Sequence, residues 1–452
     1  VSASKVRSLG AYAVDRRPLA VAAFRRLWAA SAVCAVGGSF SVVAVPTQLY
    51  TVTGSSAVVG AAAASSFAAL VVAALWIGAL ADLMDRRRVL LAANCGLAFT
   101  YAALWAQAVL GGRSVPVVML LVACQGLSFA AIMTTMGAVV PRLVPVELLP
   151  AANSLSSLTR YAGSIVGPAL AGVLIPIVGL DTLYLFDAVA LMAVVWAVAK
   201  LPPLPPLPPL PAQPHPAGSS RDPAARHRRR RPTISQVVAS FRYFAASRLL
   251  VAVLAVDLAA MVFGMPTALF PELAQHTYGG PAGGGLELGL LYAAYPAGVV
   301  AAGLLSGTFT RARRHGALMA GAAAAWGITV VFLGLAAQLW IALAALVLGG
   351  AVNFVLSTFR NAITQAHTHD AMRGRIQGSL TVVLFGGPHI ANLLHGAATS
   401  LLDPRVVICA GGLLTTATVA AIVWAVPELR NHIARSATSA PPRAAVPARS
   451  RE

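Results

Sequence analysis

Three carboxylates stand where a solvated surface does not put them: Asp187 and Asp257 fall inside long apolar runs, and Glu272 stands at the end of one. Holding a carboxylate at the centre of a membrane-spanning helix costs about 2.5 to 3.5 kcal/mol, and burial favours its neutral, protonated form. Each is therefore a candidate for reversible proton uptake. Asp257 comes first, because nine helical residues put it roughly 13 Å from the start of its run, close to the middle of a hydrocarbon layer. It also suits a structural role, as a carboxyl bonded to a neighbouring helix. Glu272 is weaker because a helix end reaches water. Other polar and aromatic side chains in apolar runs suit the wall of a cavity: Gln48, Gln125, Asn353, His389 and Asn392, with Tyr292, Tyr295 and Phe385 as aromatic surface for a large apolar molecule. His389 and Asn392 are three apart and share a helix face. A helix–helix contact is the alternative for the histidine, and packing for each aromatic.

Bond-breaking chemistry has little support. The chain has no HExxH, Gly-x-Ser-x-Gly or Walker A motif, and its only lysines are Lys5 and Lys200. Cys34, Cys95, Cys124 and Cys409 are scattered singly in apolar segments, without metal-ligand spacing, and read as small buried hydrophobes. Neither a metal nor a cofactor is expected.

The elements that must position these residues follow from composition. Hydrophobic residues make up 58% of the 452 positions and charged residues 10%, where a soluble domain is about a quarter charged, so the chain belongs in a bilayer. The net charge of +19 does not signal nucleic-acid binding, because the basic residues lie in short clusters between apolar stretches. Since a span takes about 20 residues, twelve transmembrane helices are expected, at 27–50, 58–80, 89–110, 115–139, 158–178, 182–199, 249–271, 287–309, 316–336, 339–358, 376–399 and 405–426. The first serves as its own insertion signal. With the N-terminus inside, only Arg113 and Arg405 fall in external loops, so both termini are expected in the cytoplasm.

The fold class is thus an all-α membrane protein of two six-helix bundles. An N-terminal segment (1–26) precedes the first bundle (27–200), and a Pro/Arg-rich linker (201–248) leads to the second (249–427) and a disordered tail (428–452). The linker opens with Leu-Pro-Pro units at 201–209, expected as an extended polyproline II spacer without tertiary packing, and its Arg228–Arg231 run reads as a topology signal. Pro46 and Pro266 are 220 residues apart, as are Pro168 and Pro388, and the Arg86–Arg88 cluster is echoed by Arg311, Arg313 and Arg314. A parallel repeat of this kind places a substrate path along its pseudo-twofold axis, with halves that rock about a midplane site.

Gly78-Ala-Leu-Ala-Asp82-Leu-Met-Asp85-Arg86-Arg87-Arg88, after the second span, resembles the loop signature of the major facilitator superfamily, Gly-x-Leu-Ala-Asp-Arg-x-Gly-Arg-Arg. The resemblance implies that Gly78, Asp82, Arg86 and Arg87 form a latch, the acid engaging the start of the eleventh helix to hold the cytoplasmic side shut. It departs at Leu83, where Arg is usual, and at Asp85, where Gly is usual. Gly163-x-x-x-Gly167-Pro168-x-x-Ala-Gly172 is similar to the antiporter signature of exporters in this superfamily, with an echo at Gly387-Pro388. Phe24-Arg25-Arg26-Leu27-Trp28, the stretch 145–153, the stretch 257–271 and Arg373-Gly374-Arg375 narrow the resemblance to the drug:proton antiporter branch, with its macrolide-efflux-like and enterobactin-exporter-like proteins. In that family the sixth helix is peripheral, which ranks Asp187 below Asp257, and His369 stands where proline is common. The implied activity is proton-coupled efflux of a small amphipathic molecule, by a monomer in the cytoplasmic membrane; an importer or facilitator and a non-transporting receptor or scaffold are the rivals.

Overall fold

The computed structural model describes residues 15–205, 247–309, 312–367 and 373–432, apart from the side chains of 74–83, 138, 150, 308, 373–383 and 385. The described residues form helices and no strand. The first half comprises α1 (Ala22–Gly37), α2 (Ser41–Thr53), α3 (Ser56–Leu83), α4 (Arg86–Val109), α5 (Val115–Leu143) and α6 (Leu149–Ala199). The second comprises α7 (Arg248–Gly264), α8 (Leu286–Leu304), α9 (His315–Leu335), α10 (Leu339–Ala366), α11 (Arg373–Ala398) and α12 (Pro404–Ala425).

Among the described residues, ten stretches are long and apolar enough to span. One of them, through α6, is 54 residues, far longer than a bilayer needs. It folds back at Gly179, whose φ of 82° and ψ of 163° lie outside the helical region and suit glycine, so its two arms are separate crossings. With α11 this makes twelve crossings among the described residues. Large apolar side chains including Phe99, Leu120, Ile177, Phe332 and Trp424 remain exposed on the bundle, as a lipid-facing surface requires.

Two expected spans prove discontinuous. The first breaks between α1 and α2 at Gly38-Ser39-Phe40, where paired glycines weaken the helix. The seventh ends as α7 at Gly264; Pro266 supplies no N–H, and the chain continues as a 3-10 turn (Thr267–Leu269), a short α-turn (Phe270–Glu272) and a π-turn (Leu273–Thr277). Such breaks leave backbone groups that other helices must satisfy.

The linker expectation is corrected at its start. Leu201 and Leu204 are buried against Leu27, Leu90, Val139 and Val194. Polyproline II has three residues per turn and no internal hydrogen bonds, so leucines three apart share a face and the backbone stays free to bond elsewhere. Leu204 N donates to Asp85 Oδ1 (3.1 Å), its carbonyl accepts from Arg86 N (3.2 Å), and Arg142 donates to the Pro205 carbonyl (2.8 Å). The rest of the proline stretch and the arginine run lie outside the described residues. The cysteine expectation is corrected too: Cys95 and Cys124 are exposed, and Cys34 and Cys409 half-buried.

Contacts between the halves run along α3 against α11 and α6 against α8. Arg86–Arg88 and Leu201–Pro205 mark one face of the bundle, the basic face. On the opposite side, the Ser56 hydroxyl donates to Glu272 (2.5 Å) and Tyr50 meets His276 edge-on. Gly172 sits directly against Gly289: a Cβ on Gly172 would come within 2.7 Å of the Gly289 Cα, so only glycine permits this approach. The halves are closed on that side.

Candidate functional site

A cavity of about 430 Å³ lies between the halves, within the range of small-molecule sites. From the first half, Ser41, Pro46, Ser66, Tyr101, Gln125 and Phe129 line it; from the second, Thr267, Tyr292, His389 and Asn392. Its wall is largely apolar, with a few polar groups spread around it. Gln125 donates to the Tyr101 hydroxyl (3.2 Å), and His389 stacks on Phe67 of α3, ring centroids 5.5 Å apart. A second, apolar cavity of about 90 Å³ adjoins through Thr267 and Tyr292, which line both, and reaches Tyr295 and Trp326.

Asn392 does more than line the wall. Its Oδ1 accepts from the Thr267 hydroxyl (2.7 Å) and from Ala268 N (2.9 Å), satisfying the chain just past the α7 break. His389 and Asn392 thus share the cavity: the first stacks on a ring of the first half, and the second fastens the seventh crossing.

Asp257 is 1% exposed on α7 and bonded to a residue that the sequence reading missed. Arg360 of α10 donates to Asp257 Oδ1 at 2.7 Å and is itself 5% exposed. The expected tenth span stopped at 358, just short of Arg360, because a charge read as the end of the hydrocarbon layer. Instead α10 runs on to Ala366. The overlooked signal was neutrality: a midplane acid needs a cation on a neighbouring helix, since a buried unpaired charge is costly. Arg360 also touches Asn361 Oδ1 (3.3 Å), while Asp257 Oδ2 is buried without a hydrogen-bond partner.

Asp187, ranked lower, is fully buried and tightly engaged. Its carboxylate accepts from Phe40 N (3.2 Å), from Ser41 N (2.7 Å) and from the Ser41 hydroxyl. It therefore caps α2 from another helix, meeting the donors that the α1–α2 break exposes. The Gly37-Gly38 pair in an otherwise apolar span was the sequence signal for that break. Glu272 lies at the closed side, bonded to Ser56.

The remaining candidates separate. Gln48 is buried in a network with Gln107 (2.8 Å) and Tyr184 (2.7 Å), away from the main cavity, because its amide is consumed by those partners. Tyr295 packs edge-on against Trp326 in the smaller cavity. Asn353 is half-buried on α10 and lines neither of the two cavities. The Phe385 side chain lies outside the described residues.

In the latch segment, Gly78 and Asp82 fall within α3, but their side chains lie outside the described residues. Asp85 caps α4, accepting from Arg87 N (2.9 Å), and holds Leu204 N as well. The Arg87 guanidinium donates to the Ala199 carbonyl at the end of α6 (2.5 Å), and Arg86 binds Leu204 of the Leu201–Pro205 strap through its backbone. In the glycine motif, Gly163 and Gly167 face Ala35 and Ser39 at the first-span break, while Gly172 faces α8. Pro168 contributes its carbonyl beside Gly289, and Gly387 faces Met261 of α7, one residue before Pro388 in α11.

Twelve crossings in two halves, a shared central cavity and closure on one side define a polytopic membrane transporter rather than an enzyme. The profile of the Major Facilitator Superfamily matches residues 27–391. The chain belongs to that superfamily. The enterobactin exporter EntS of Citrobacter koseri is 28% identical over 384 residues, covering 84% of this chain and 86% of the relative. EntS of Shigella boydii is 28% identical over 392 residues, covering 86% and 88%. Among solved structures, the nucleoside transporter NupG superposes with a TM-score of 0.64 at 13% identity, covering 89% of this chain and 98% of NupG. A bacterial homologue of the iron transporter ferroportin, in an inward-facing state, does so at 0.64 and 15%, covering 88% and 98%. These structures share the fold.

Proposed function

We propose that this chain exports a small amphipathic molecule across the cytoplasmic membrane in exchange for protons, with both termini in the cytoplasm. The observation that carries the coupling is the buried Asp257–Arg360 pair with its open Oδ2. An external proton taken up there neutralises the acid and weakens the tie between α7 and α10. Because α7 ends in a break whose far side lines the cavity and is held by Asn392, a shift of α7 reaches the substrate wall. Closure away from the basic face, at Ser56–Glu272 and Gly172–Gly289, supports reading this state as closed to the outside. Asp82 then acts as the latch in the opposite state. Each charge moved through 100 mV supplies about 2.3 kcal/mol, about a fiftyfold gradient per proton. One chain encloses the whole cavity, which supports a monomeric working unit.

Export of a siderophore such as enterobactin is the substrate reading that the exporter relatives support, and the apolar, aromatic wall suits an amphipathic molecule. The test is a proteoliposome assay with an imposed pH gradient, following enterobactin and amphipathic drugs together with interior pH. Expected is gradient-driven substrate movement with counterflow of protons, lost in Asp257→Asn protein that remains folded. Undiminished proton counterflow in Asp257→Asn removes that residue from coupling, and movement of substrate with the protons in one direction overturns exchange.

A further inference from the structure

The Phe24-Arg25-Arg26-Leu27-Trp28 motif takes no part in the cavity or the buried pair, yet it frames a second site. Phe24 and Leu27 are buried, anchoring α1 to its own bundle, so the helix phase turns Arg25 and Arg26 toward the outside. There a groove of about 460 Å³ runs between α1 and the second arm of α6, lined by Arg25, Arg26, Ala29, Val33, Ala193 and Trp196. Its two ends differ. At the basic face stand the two guanidiniums; Trp196, 56% exposed, lies one helical turn before Lys200, whose carbonyl Arg26 reaches, and Val33, 57% exposed and seven residues on from Arg26, lies roughly 10 Å deeper than the arginines.

Each arginine has five N–H donors. Arg25 gives a bond to the Leu19 carbonyl (3.2 Å) and Arg26 one to the Lys200 carbonyl (3.5 Å). Among the described residues neither is ion-paired. A cationic fork above an apolar channel, with an indole at the level where headgroup meets acyl chain, has one natural complement in a bilayer.

We propose that this groove binds an anionic glycerophospholipid of the leaflet bordering the basic face. The phosphodiester takes the Arg25 and Arg26 guanidiniums, bidentately where geometry allows, and an acyl chain lies along Ala29, Val33 and Trp196. The site is on the outside of the first half, remote from the substrate cavity. A lipid seated there packs α1 against α6, the two helices that carry the α1–α2 break and its Asp187 cap.

The full-length protein, delipidated in detergent, is titrated with dioleoyl phosphatidylglycerol or dioleoyl phosphatidylcholine and bound lipid is counted by native mass spectrometry. Wild type is expected to hold one phosphatidylglycerol in preference to phosphatidylcholine. A membrane-facing arginine contributes about fivefold, so Arg25→Gln with Arg26→Gln weakens that binding about thirtyfold. Arg25→Lys with Arg26→Lys keeps much of it, and the Arg313→Gln with Arg314→Gln control, equal in charge removed, keeps all of it. Bromine-labelled phosphatidylglycerol quenches tryptophan emission in wild type, and Trp196→Phe loses that component. Equal affinity in the Arg25/Arg26 glutamine variant, or equal binding of phosphatidylcholine, overturns the proposal. So does displacement by millimolar inorganic phosphate, which assigns a free-anion site, and so does a dimer that Trp196→Ala dissolves, which assigns the groove to a second copy.

Discussion

Replacing Arg360 with glutamine leaves the Asp257 carboxylate without its counter-charge in the middle of the bundle. The pair is 2.7 Å apart, with side chains 7% and 2% exposed, so solvent screens neither group. Removing one partner of such a pair costs about 3 to 5 kcal/mol, most of it the penalty of an uncompensated buried charge. Asp257→Asn strands the guanidinium and costs a similar amount. The double variant, Asp257→Asn with Arg360→Gln, removes both charges together and costs far less than the two single losses added. The coupling energy is then about 3 kcal/mol or more, well above the few tenths expected of independent sites. The assay is equilibrium unfolding in detergent at neutral pH, followed by tryptophan emission, on wild type, both single variants and the double. Single losses below about 1 kcal/mol that simply add would refute the reasoning, for they would mean that the two groups are solvated or apart in the folded protein.

Two further outcomes follow from the geometry. Gly172→Leu drives a side chain into Gly289 and the Gly285 carbonyl; overpacking costs about 1 to 3 kcal/mol, shifting the population of the closed side by a factor of about 5 to about 160, and spin labels flanking Ser56 and Glu272 should move apart. An unchanged distance distribution would show that this contact does not govern closure. At the end of the described chain, desolvation, followed by the charges of His367 and His315, holds the His432 imidazole below its ordinary value of 6.5. A base depressed in the folded state binds protons better when released, so its contribution is present above about pH 6.5 and is lost as pH falls below it. Amide exchange over 427–432, corrected for its intrinsic pH dependence, should therefore lose protection from pH 7.5 to 5.5 in wild type but not in His432→Gln, and equal loss in both would dismiss the imidazole as the cause.

The positions of the crossings were legible because hydrocarbon thickness imposes a minimum run of apolar residues, which a single sequence displays directly. Asp257 was legible for the same reason. Its partner was not: Arg360 lies near the end of an apolar run, where a long cationic side chain ordinarily reaches the interface. Only the packing of α10 against α7 shows that it turns inward instead. Asp187 was undervalued because its role depends on donors freed by a helix break in another span, a long-range relation without a local pattern. Gln48 was overvalued because an amide in an apolar run says that a partner exists, not whether it is a substrate or, as here, Gln107 and Tyr184. The leucine–proline strap was misread by composition, since proline-rich sequence usually signals a spacer, whereas the three-residue leucine spacing carried the docking face.

That strap changes where the first bundle ends. Leu201 to Pro205 belong mechanically to the first half, held by Asp85, Arg86 and Arg142. Whatever motion the halves make, Leu201 to Pro205 move with the first, and among the described residues the work of switching states falls on the faces that α3 shares with α11 and α6 with α8.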